Sequence, residues 1–346
     1  MKLNLRSFFI LLCFLTTLSV SAQDVHFSQI HASPTILNPA MTGLFIGDMR
    51  LIANTRSQWQ SVTKGYKTIA FSMDMKVYET GNGDFVGGGL QFVTDKAGDL
   101  DFKTNSVGLN ISYLKSIDGG KNFISFGLQN AFVTNSVDYS KIVAFDNEPA
   151  IQNGANGQIS YWDISAGFGW FHNFDKKNAV SIGVSINHIN KPYVSFFNDD
   201  NNDSDVFLFR KFVIHGTGDL KLNKKSTLKP SFLFADQGPH KETTVGTFWK
   251  YRAGKDNRQR KPTYIYFGAW VRTHISKANF GTDAIIGAVR LDIQNTYITF
   301  TFDVTVSSLN EVAYGNGGPE LSIVQIIDFK NKGRKPAKVE CPAFLY

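Results

Sequence analysis

Cysteine is almost absent from this chain, which has two, Cys13 and Cys341, in 346 residues. Residues 1–22 read as a secretory signal, with a basic start, an apolar run and a small-residue cleavage site at 20–22. Cys13 lies inside that run, so only Cys341 is expected in the mature chain. A single cysteine cannot close an intramolecular disulfide. We therefore expect stability to come from hydrogen-bonded strands and burial.

A long hydrophobic run is also missing. After residue 22 no stretch of about 18 apolar residues occurs, which excludes a membrane-spanning helix. The formal net charge is +7, but nucleic acid is not an expected partner of an exported chain. Basic residues cluster in 221–229, 251–261 and 330–338. These clusters are either solvated turns and tail, or contact sites for acidic partners or lipid headgroups.

What the sequence does have is an alternation of apolar and polar residues. In the stretch 296–305 one face carries Ile298, Phe300, Phe302 and Val304, and the other carries Thr299, Thr301 and Asp303. A period of two places apolar and polar side chains on opposite sides of a β-strand. About fourteen such segments are predicted, and they span 48–58, 67–77, 85–95, 103–114, 122–133, 160–171, 179–189, 206–218, 228–236, 242–251, 262–273, 280–291, 296–305 and 319–328.

The lengths of the links favour a transmembrane antiparallel β-barrel. The longest gaps, 134–159, 190–205 and 306–318, all follow odd-numbered strands, whereas gaps after even-numbered strands are short, with 252–261 as the exception. Outer-membrane barrels have long outer loops and short periplasmic turns. An even strand count places both termini in the periplasm. Alternation alone is also compatible with a soluble sandwich, and the secretory signal and this parity favour the barrel.

The predicted organisation has four parts. They are a signal peptide (1–22), an N-terminal arm (23–47), the barrel (48–328) and a short C-terminal tail (329–346). The arm lacks periodicity and is either a plug for the barrel mouth or a docking segment for a periplasmic partner. Within the barrel, Pro230 removes a ladder donor, which predicts a strand end or a bulge there.

No motif for catalysis, a cofactor or a metal stands out. The histidines are scattered without metal-ligand spacing, at positions 26, 31, 172, 188, 215, 240 and 274. The acidic loop 198–205 offers oxygen atoms at alternate positions, but it lacks the glycine and the closing glutamate of an EF-hand. Polar residues on the predicted inner face, such as Asp74, Gln129, Arg272 and Asp303, either line a channel or fill the interior with paired charges.

Short motifs in the expected order resemble the PorP/SprF family of the Bacteroidetes type IX secretion system. The arm carries Asn38-Pro39-Ala40-Met41-Thr42-Gly43, which is similar to the family's NPAxxG opening. Arg56-Ser57-Gln58-Trp59 resembles its RxQW motif, and Phe302-Asp303-Val304-Thr305 resembles its penultimate strand. Cys341-Pro342-Ala343-Phe344 matches its CPxF ending. At Gly318-Pro319-Glu320 the chain lacks the histidine that the family commonly places before the glutamate.

The resemblance implies a non-enzymatic outer-membrane component of type IX secretion. It would be needed for export or surface anchoring of a large adhesin, as in gliding motility, by binding the adhesin's C-terminal sorting domain. The expected partners are that adhesin, other type IX components and outer-membrane lipid. The alternatives are a core protein that docks to periplasmic type IX lipoprotein rings, a passive solute channel and a barrel hydrolase.

Partner-binding residues are carried over from the motif positions alone. They are Asn38, Pro39, Gly43, Arg56, Gln58, Trp59, Asp303, Glu320, Cys341 and Pro342. Trp59 is expected to anchor the barrel at the outer membrane interface. Cys341 is either a free thiol, a small buried residue or an intermolecular contact.

Overall fold

Antiparallel strands close on themselves into a barrel in which neighbours in sequence are neighbours in space. The structure is a computed structural model, and it describes residues 27, 33–58, 65–80, 82–139, 157–175, 178–196, 206–254, 262–275, 280–306 and 317–329. The predicted signal peptide, the acidic loop 198–205, Trp59, Cys341 and Pro342 lie outside the described residues.

Fourteen strands make up the described barrel, as the alternation predicted. Their bounds are β1 (Met49–Gln58), β2 (Tyr66–Glu79), β3 (Phe85–Ala97), β4 (Phe102–Ile117), β5 (Asn122–Ser136), β6 (Gln158–Asn173), β7 (Ala179–Asn187), β8 (Lys211–Lys221), β9 (Ser226–Gln237), β10 (His240–Arg252), β11 (Tyr264–Ile275), β12 (Phe280–Ile293), β13 (Thr296–Thr305) and β14 (Pro319–Ile327). The ladder between β1 and β14, from Met49 opposite Ile327 to Arg56 opposite Glu320, closes the sheet. Closure leaves no unpaired edge in that sheet.

The apolar rows of β13 and β2 point outward. In β13, Phe300 and Val304 are 49% and 42% exposed, whereas Thr301 and Asp303 are each 1% exposed. β2 behaves in the same way, with Phe71 exposed and Asp74 buried. A soluble sandwich would bury the apolar rows instead. An apolar exterior around a polar interior is the arrangement that a lipid bilayer requires.

The two ends of the barrel differ in their connections. At one end, here called the turn end, the links are short, such as 118–121 between β4 and β5 and 294–295 between β12 and β13. The opposite, loop end carries the longer links 137–157, 188–210 and 306–318. The link between β10 and β11 remains the exception at the turn end.

Two predictions about single strands were wrong. β8 begins at Lys211 and not at residue 206, because the chain around Phe207 forms an isolated bridge with Tyr193 before it joins the sheet. Pro230 lies inside β9 and marks neither an end nor a bulge. The register of β8 against β9 is the same on both sides of Pro230, and the ladder lacks pairs only at Gly218 and Asp219, opposite the position where the proline has no N–H.

Helix is confined to a four-residue α-helix, Pro34–Leu37, and a 3-10 turn, Pro39–Met41, in the part of the chain that the structure describes. No helix in those residues is long and apolar enough to cross a membrane.

Candidate functional site

Residues 33–45, called the lumen segment here, lie inside the barrel. Ser33 at its start contacts the side chain of Asn54 on β1. The chain then crosses to β6, β7 and β8, where Asn38 is fully buried, and returns along β5, β4 and β3. Phe45, at its end, packs against Ile52 of β1 and residues of β14. The segment therefore crosses the lumen and follows the inner wall back to its starting side.

Asn38 fixes the far point of this path. Its amide nitrogen donates hydrogen bonds to the carbonyl oxygens of Phe168 (3.0 Å) and Val184 (3.3 Å), and it lies 3.0 Å from Nε2 of His215. Its side-chain oxygen accepts from the backbone N–H of Ala40 at 2.9 Å. One side chain thus joins β6, β7 and β8 to the 3-10 turn. Pro39 follows in the first position of that turn, where its restricted φ and missing N–H are tolerated.

Serine hydroxyls of the wall bind the backbone of the lumen segment. Ser185 donates to the carbonyl of Leu37 at 2.8 Å, Ser125 to Ala40 at 2.7 Å and Ser112 to Thr42 at 2.6 Å. Because the acceptors are main-chain oxygens, these bonds fix the path of the chain rather than its side chains. Each such bond contributes about 1 kcal/mol in a folded protein.

Glycines in the wall make room for this close approach. A Cβ atom built on Gly127 would lie 2.3 Å from the backbone nitrogen of Ala40, and one on Gly87 would lie 2.5 Å from the carbonyl oxygen of Thr42. The colliding atoms are main-chain atoms, which cannot rotate away. Glycine within a strand is therefore a requirement for backbone contact at these two positions.

Gly43 and Arg50 tie the end of the segment to the wall. Gly43 has φ of +74°, which favours glycine, and its N–H donates to Asp74 at 2.7 Å. Arg50 donates to both oxygens of Asp74, at 2.9 and 2.6 Å, and to the carbonyl of Met41 at 3.2 Å. Arg50 and Asp74 are both buried. A paired carboxylate thus holds the turn that leads into β1.

A second group of charges lies further along the lumen toward the loop end. Arg56 is 3.0 Å from Asp303 and 3.9 Å from Glu320, and Arg272 is 2.9 Å from Asp303 and 2.7 Å from Asp283. We call these five residues the charge cluster. Asp303 is shared by both arginines. The charges of Asp74, Asp303 and Arg272 are therefore paired inside the barrel.

The opposite wall of the lumen is filled by its own side chains. Phe248, Trp270 and Tyr266 pack edge to face, with ring centroids of Phe248 4.6 Å from Trp270 and 5.7 Å from Tyr266. The Tyr266 hydroxyl donates to Asp292 at 2.5 Å, and Asp292 also pairs with Arg290. Most of these contacts join neighbouring strands, β10 to β12.

The residues predicted from motifs fall into two groups. Asn38, Pro39 and Gly43 all lie in the lumen segment, and Arg56, Asp303 and Glu320 meet in the charge cluster. Gln58 lies beside Gly318, since a Cβ on that glycine would be 2.6 Å from its Cγ. A partner-binding role for any of them remains a prediction.

Sequence reasoning missed the residues that hold the lumen segment. Ser112, Ser125 and Ser185 give no motif, because each bonds a residue at least 70 positions away. The sequence feature that could have indicated this contact is glycine at inward-facing strand positions, such as 87 and 127, where a second stretch of main chain comes close. No group of three or more His, Cys, Asp or Glu that could hold a metal occurs among the described residues.

Residues 19–324 match the family model described as type IX secretion system membrane protein PorP/SprF. No curated protein matches the sequence.

Several solved structures are similar to this chain at low identity. The CymD monoaromatic hydrocarbon channel is 9% identical, with a TM-score of 0.46 and coverage of 87% of this chain and 94% of that one. CdiB from Escherichia coli is 10% identical, with a TM-score of 0.49 and coverage of 80% and 62%. A bacterial polysaccharide outer membrane secretin is 9% identical, with a TM-score of 0.42 and coverage of 83% and 99%.

Proposed function

Because this chain belongs to the PorP/SprF family of type IX secretion system membrane proteins, we propose that it serves one exported adhesin. In this proposal the barrel lies in the outer membrane, with the turn end and both termini in the periplasm. It binds the C-terminal sorting domain of a large adhesin and is needed to export the adhesin or to hold it at the cell surface. No chemical reaction is involved.

The observation that carries this proposal is the lumen segment. Residues 33–45 cross the barrel and are bonded to walls on both sides, through Asn54 on β1 and through Phe168 and Val184 on β6 and β7. A passive solute channel needs an open path through the lumen. A barrel that holds part of its own chain in that path is better suited to a docking platform for a protein.

The loop end supports recognition of a partner from outside the cell. The long links 137–157, 188–210 and 306–318 all emerge there, on a rigid frame of hydrogen-bonded strands. Loops of variable shape on such a frame are the usual carriers of binding specificity. In the proposed orientation they would face the sorting domain.

Deletion of the gene, followed by proteomics of the cell surface and periplasm, tests the proposal. We expect one large adhesin to disappear from the surface and to return when the wild-type gene is restored. If many unrelated exported proteins were lost together, the chain would be a core protein that docks to the lipoprotein rings. An unchanged surface proteome would reject a role in secretion.

Ion conductance distinguishes a docking platform for a protein from a passive solute channel. We expect the purified barrel in a planar bilayer to show little steady ion current. A large, stable conductance in the wild-type protein, combined with normal adhesin display in the deletion strain, would favour a channel instead.

A further inference from the structure

Basic residues from two separate parts of the sequence meet at the turn end of the barrel. Lys221, Lys224 and Lys225 lie at the link between β8 and β9 and are exposed. The backbone N–H of Arg252, at the end of β10, donates to the carbonyl of Lys225 at 2.8 Å. The link is thereby held against the end of β10. Basic residues that are distant in sequence form one patch there.

Further cations continue this patch into the lumen. Lys229 is buried on the same face of β9 as Ser231, and Arg290 is buried on the same face of β12 as Ala288. Lys250 shares the inward face of β10 with buried Phe248, because side chains two positions apart lie on one face of a strand. We call the set the basic vestibule; it comprises Lys221, Lys224, Lys225, Lys229, Lys250, Arg252 and Arg290.

Carboxylates inside the vestibule neutralise only part of its charge. Lys229 pairs with Asp219 at 2.9 Å, and Arg290 pairs with Asp292 at 2.6 Å. Further carboxylates at the turn end include Asp175, in the link after β6, and Asp328, after β14. Positive side chains therefore outnumber the acidic groups among the described residues of this region.

Lys250 is the most informative member. Its Nζ lies 4.1 Å from the ring centroid of Tyr264 and 5.4 Å from that of Tyr266. In the described part of the chain no carboxylate lies within ion-pair distance of it. Tyrosine faces attract a cation without forming an ion pair with it. An ammonium group held in this way can still accept an anionic partner.

We infer that the basic vestibule binds an acidic peptide segment of a partner protein that docks at the turn end of the barrel. Lys229 and Arg290 are buried and already paired, but Lys250 and Arg252 are only partly buried and lie on the inner face of β10, away from the lipid headgroups that surround the outside of a barrel. The accessible cations therefore extend from the rim lysines to the inner face of β10. A chain carrying several carboxylates can contact several of them at once, which a single small anion cannot.

Peptide binding to the purified full-length barrel in lipid nanodiscs tests this inference. The probe is fluorescein-labelled hexaglutamate, with labelled hexaglutamine as the uncharged control, and binding is followed by fluorescence anisotropy. We expect hexaglutamate to bind and hexaglutamine not to bind. We also expect affinity to fall as salt is raised, since exposed charges are screened beyond about 10 Å at 0.1 M ionic strength.

Two variants and a charge-matched control locate the site. Replacing Lys221, Lys224 and Lys225 by glutamine is expected to weaken hexaglutamate binding about tenfold, because three exposed ion pairs, each of them weak, are removed together. Lys250→Gln should weaken it about threefold. The control carries glutamine at Lys67, Lys96 and Lys103, which are exposed toward the loop end, and should bind like wild type. Heat-dependent gel mobility verifies that each variant forms a barrel.

Three results would overturn the inference. One is equal weakening of hexaglutamate binding in the variant at Lys221, Lys224 and Lys225 and in its control, which would mean that only the net charge of the protein matters. Another is equal binding of hexaglutamate and hexaglutamine. The third is binding of inorganic phosphate without binding of hexaglutamate, which would indicate a phosphate site instead. This inference rests on the proposed orientation, with the turn end in the periplasm, but it does not involve the adhesin. The peptide-binding test and the gene-deletion test can therefore fail independently of each other.

Discussion

The two sides of the lumen are filled in different ways. Along β2 to β8 the space is occupied by residues 33–45, which come from outside the sheet and are held by wall serines and by Asn38. Along β9 to β12 the wall fills itself with aromatic rings that pack between neighbouring strands and with the ion pair of Arg290 and Asp292 on β12. The first side depends on contacts between distant parts of the sequence, and the second on contacts that the sheet register brings together directly.

Glycines show the same difference. On the first side, a Cβ on Gly127 would collide with the backbone of Ala40. On the second side, a Cβ on Gly268 would lie 2.3 Å from the ring of Trp270, and one on Gly246 would lie 2.3 Å from that ring and 2.2 Å from the carbonyl oxygen of Ala269 in the neighbouring strand. One group of glycines admits a second stretch of main chain, and the other admits a large side chain. The first side is thus a groove for a polypeptide, and the second is a packed core.

The largest effect is expected from the charge cluster. Asp303→Ala leaves Arg56 and Arg272 buried without their shared carboxylate, and breaking a buried pair costs about 3–5 kcal/mol of the free energy of unfolding. Urea unfolding followed by tryptophan fluorescence measures this. Asp236→Ala removes the partly buried partner of the exposed Lys241 and should cost less than about 1 kcal/mol. Equal losses in the two variants would show that the cluster does not stabilise the barrel.

Gly127→Ala tests the groove directly. The new methyl group meets the main chain of the lumen segment, and we expect a loss of up to about 3 kcal/mol, the usual range for overpacking. Hydrogen exchange of residues 33–45 should become faster as the segment is displaced. Gly287→Ala is the control, since a Cβ there meets nothing within 4 Å. Unchanged exchange in Gly127→Ala would mean that the segment is not bound against this wall.

Asn38→Ala is expected to have a smaller effect, about 2 kcal/mol. It leaves the buried N–H of Ala40 without its side-chain acceptor and removes the donor to Phe168 and Val184. Asn130→Ala, on the exposed face of β5, serves as the matched control. Thermal unfolding and hydrogen exchange report both changes. A similar response in the two variants would mean that Asn38 does not hold the lumen segment against β6, β7 and β8.

Ser125→Ala should have the smallest effect, about 1 kcal/mol, because it deletes one neutral hydrogen bond to the lumen segment. Ser181→Ala is the comparison, since that buried hydroxyl lies 3.5 Å from the carbonyl of Thr217 and does not bond the segment. Hydrogen exchange of residues 33–45 should increase only in Ser125→Ala. An equal increase in Ser181→Ala would trace the change to the barrel as a whole.

The strands could be predicted from the sequence because the alternation of apolar and polar residues is visible within each strand. Alternation in β13, for example, needs only ten consecutive residues, and the observed strand has the predicted bounds. Arg50 and Arg56 obscured the pattern in β1, yet both face inward, where Asp74 and Asp303 neutralise them. Their partners lie on other strands, so no window along the sequence could reveal the pairing.

The lumen segment could not be predicted in the same way. Its contacts join residue 38 to residues 168, 184 and 215, and no periodicity relates such positions. Family motifs drew attention to Asn38, Pro39 and Gly43 without indicating what they contact. Bringing Arg56, Asp303 and Glu320 together likewise required the closing ladder between the first and last strands.

The position of the lumen segment directly before β1 constrains the order of events during folding. Gly47 and Asp48 connect the segment to the strand, and the N–H of Asp48 already bonds the carbonyl of Ile327 on the final strand. The ladder between β1 and β14 joins opposite ends of the polypeptide. Because pairings so far apart in sequence are slow to form, we expect this ladder to form last. We therefore expect the strands to assemble around residues 33–45. The lumen segment would then be in place before the barrel closes, and it would not have to enter a barrel that is already closed.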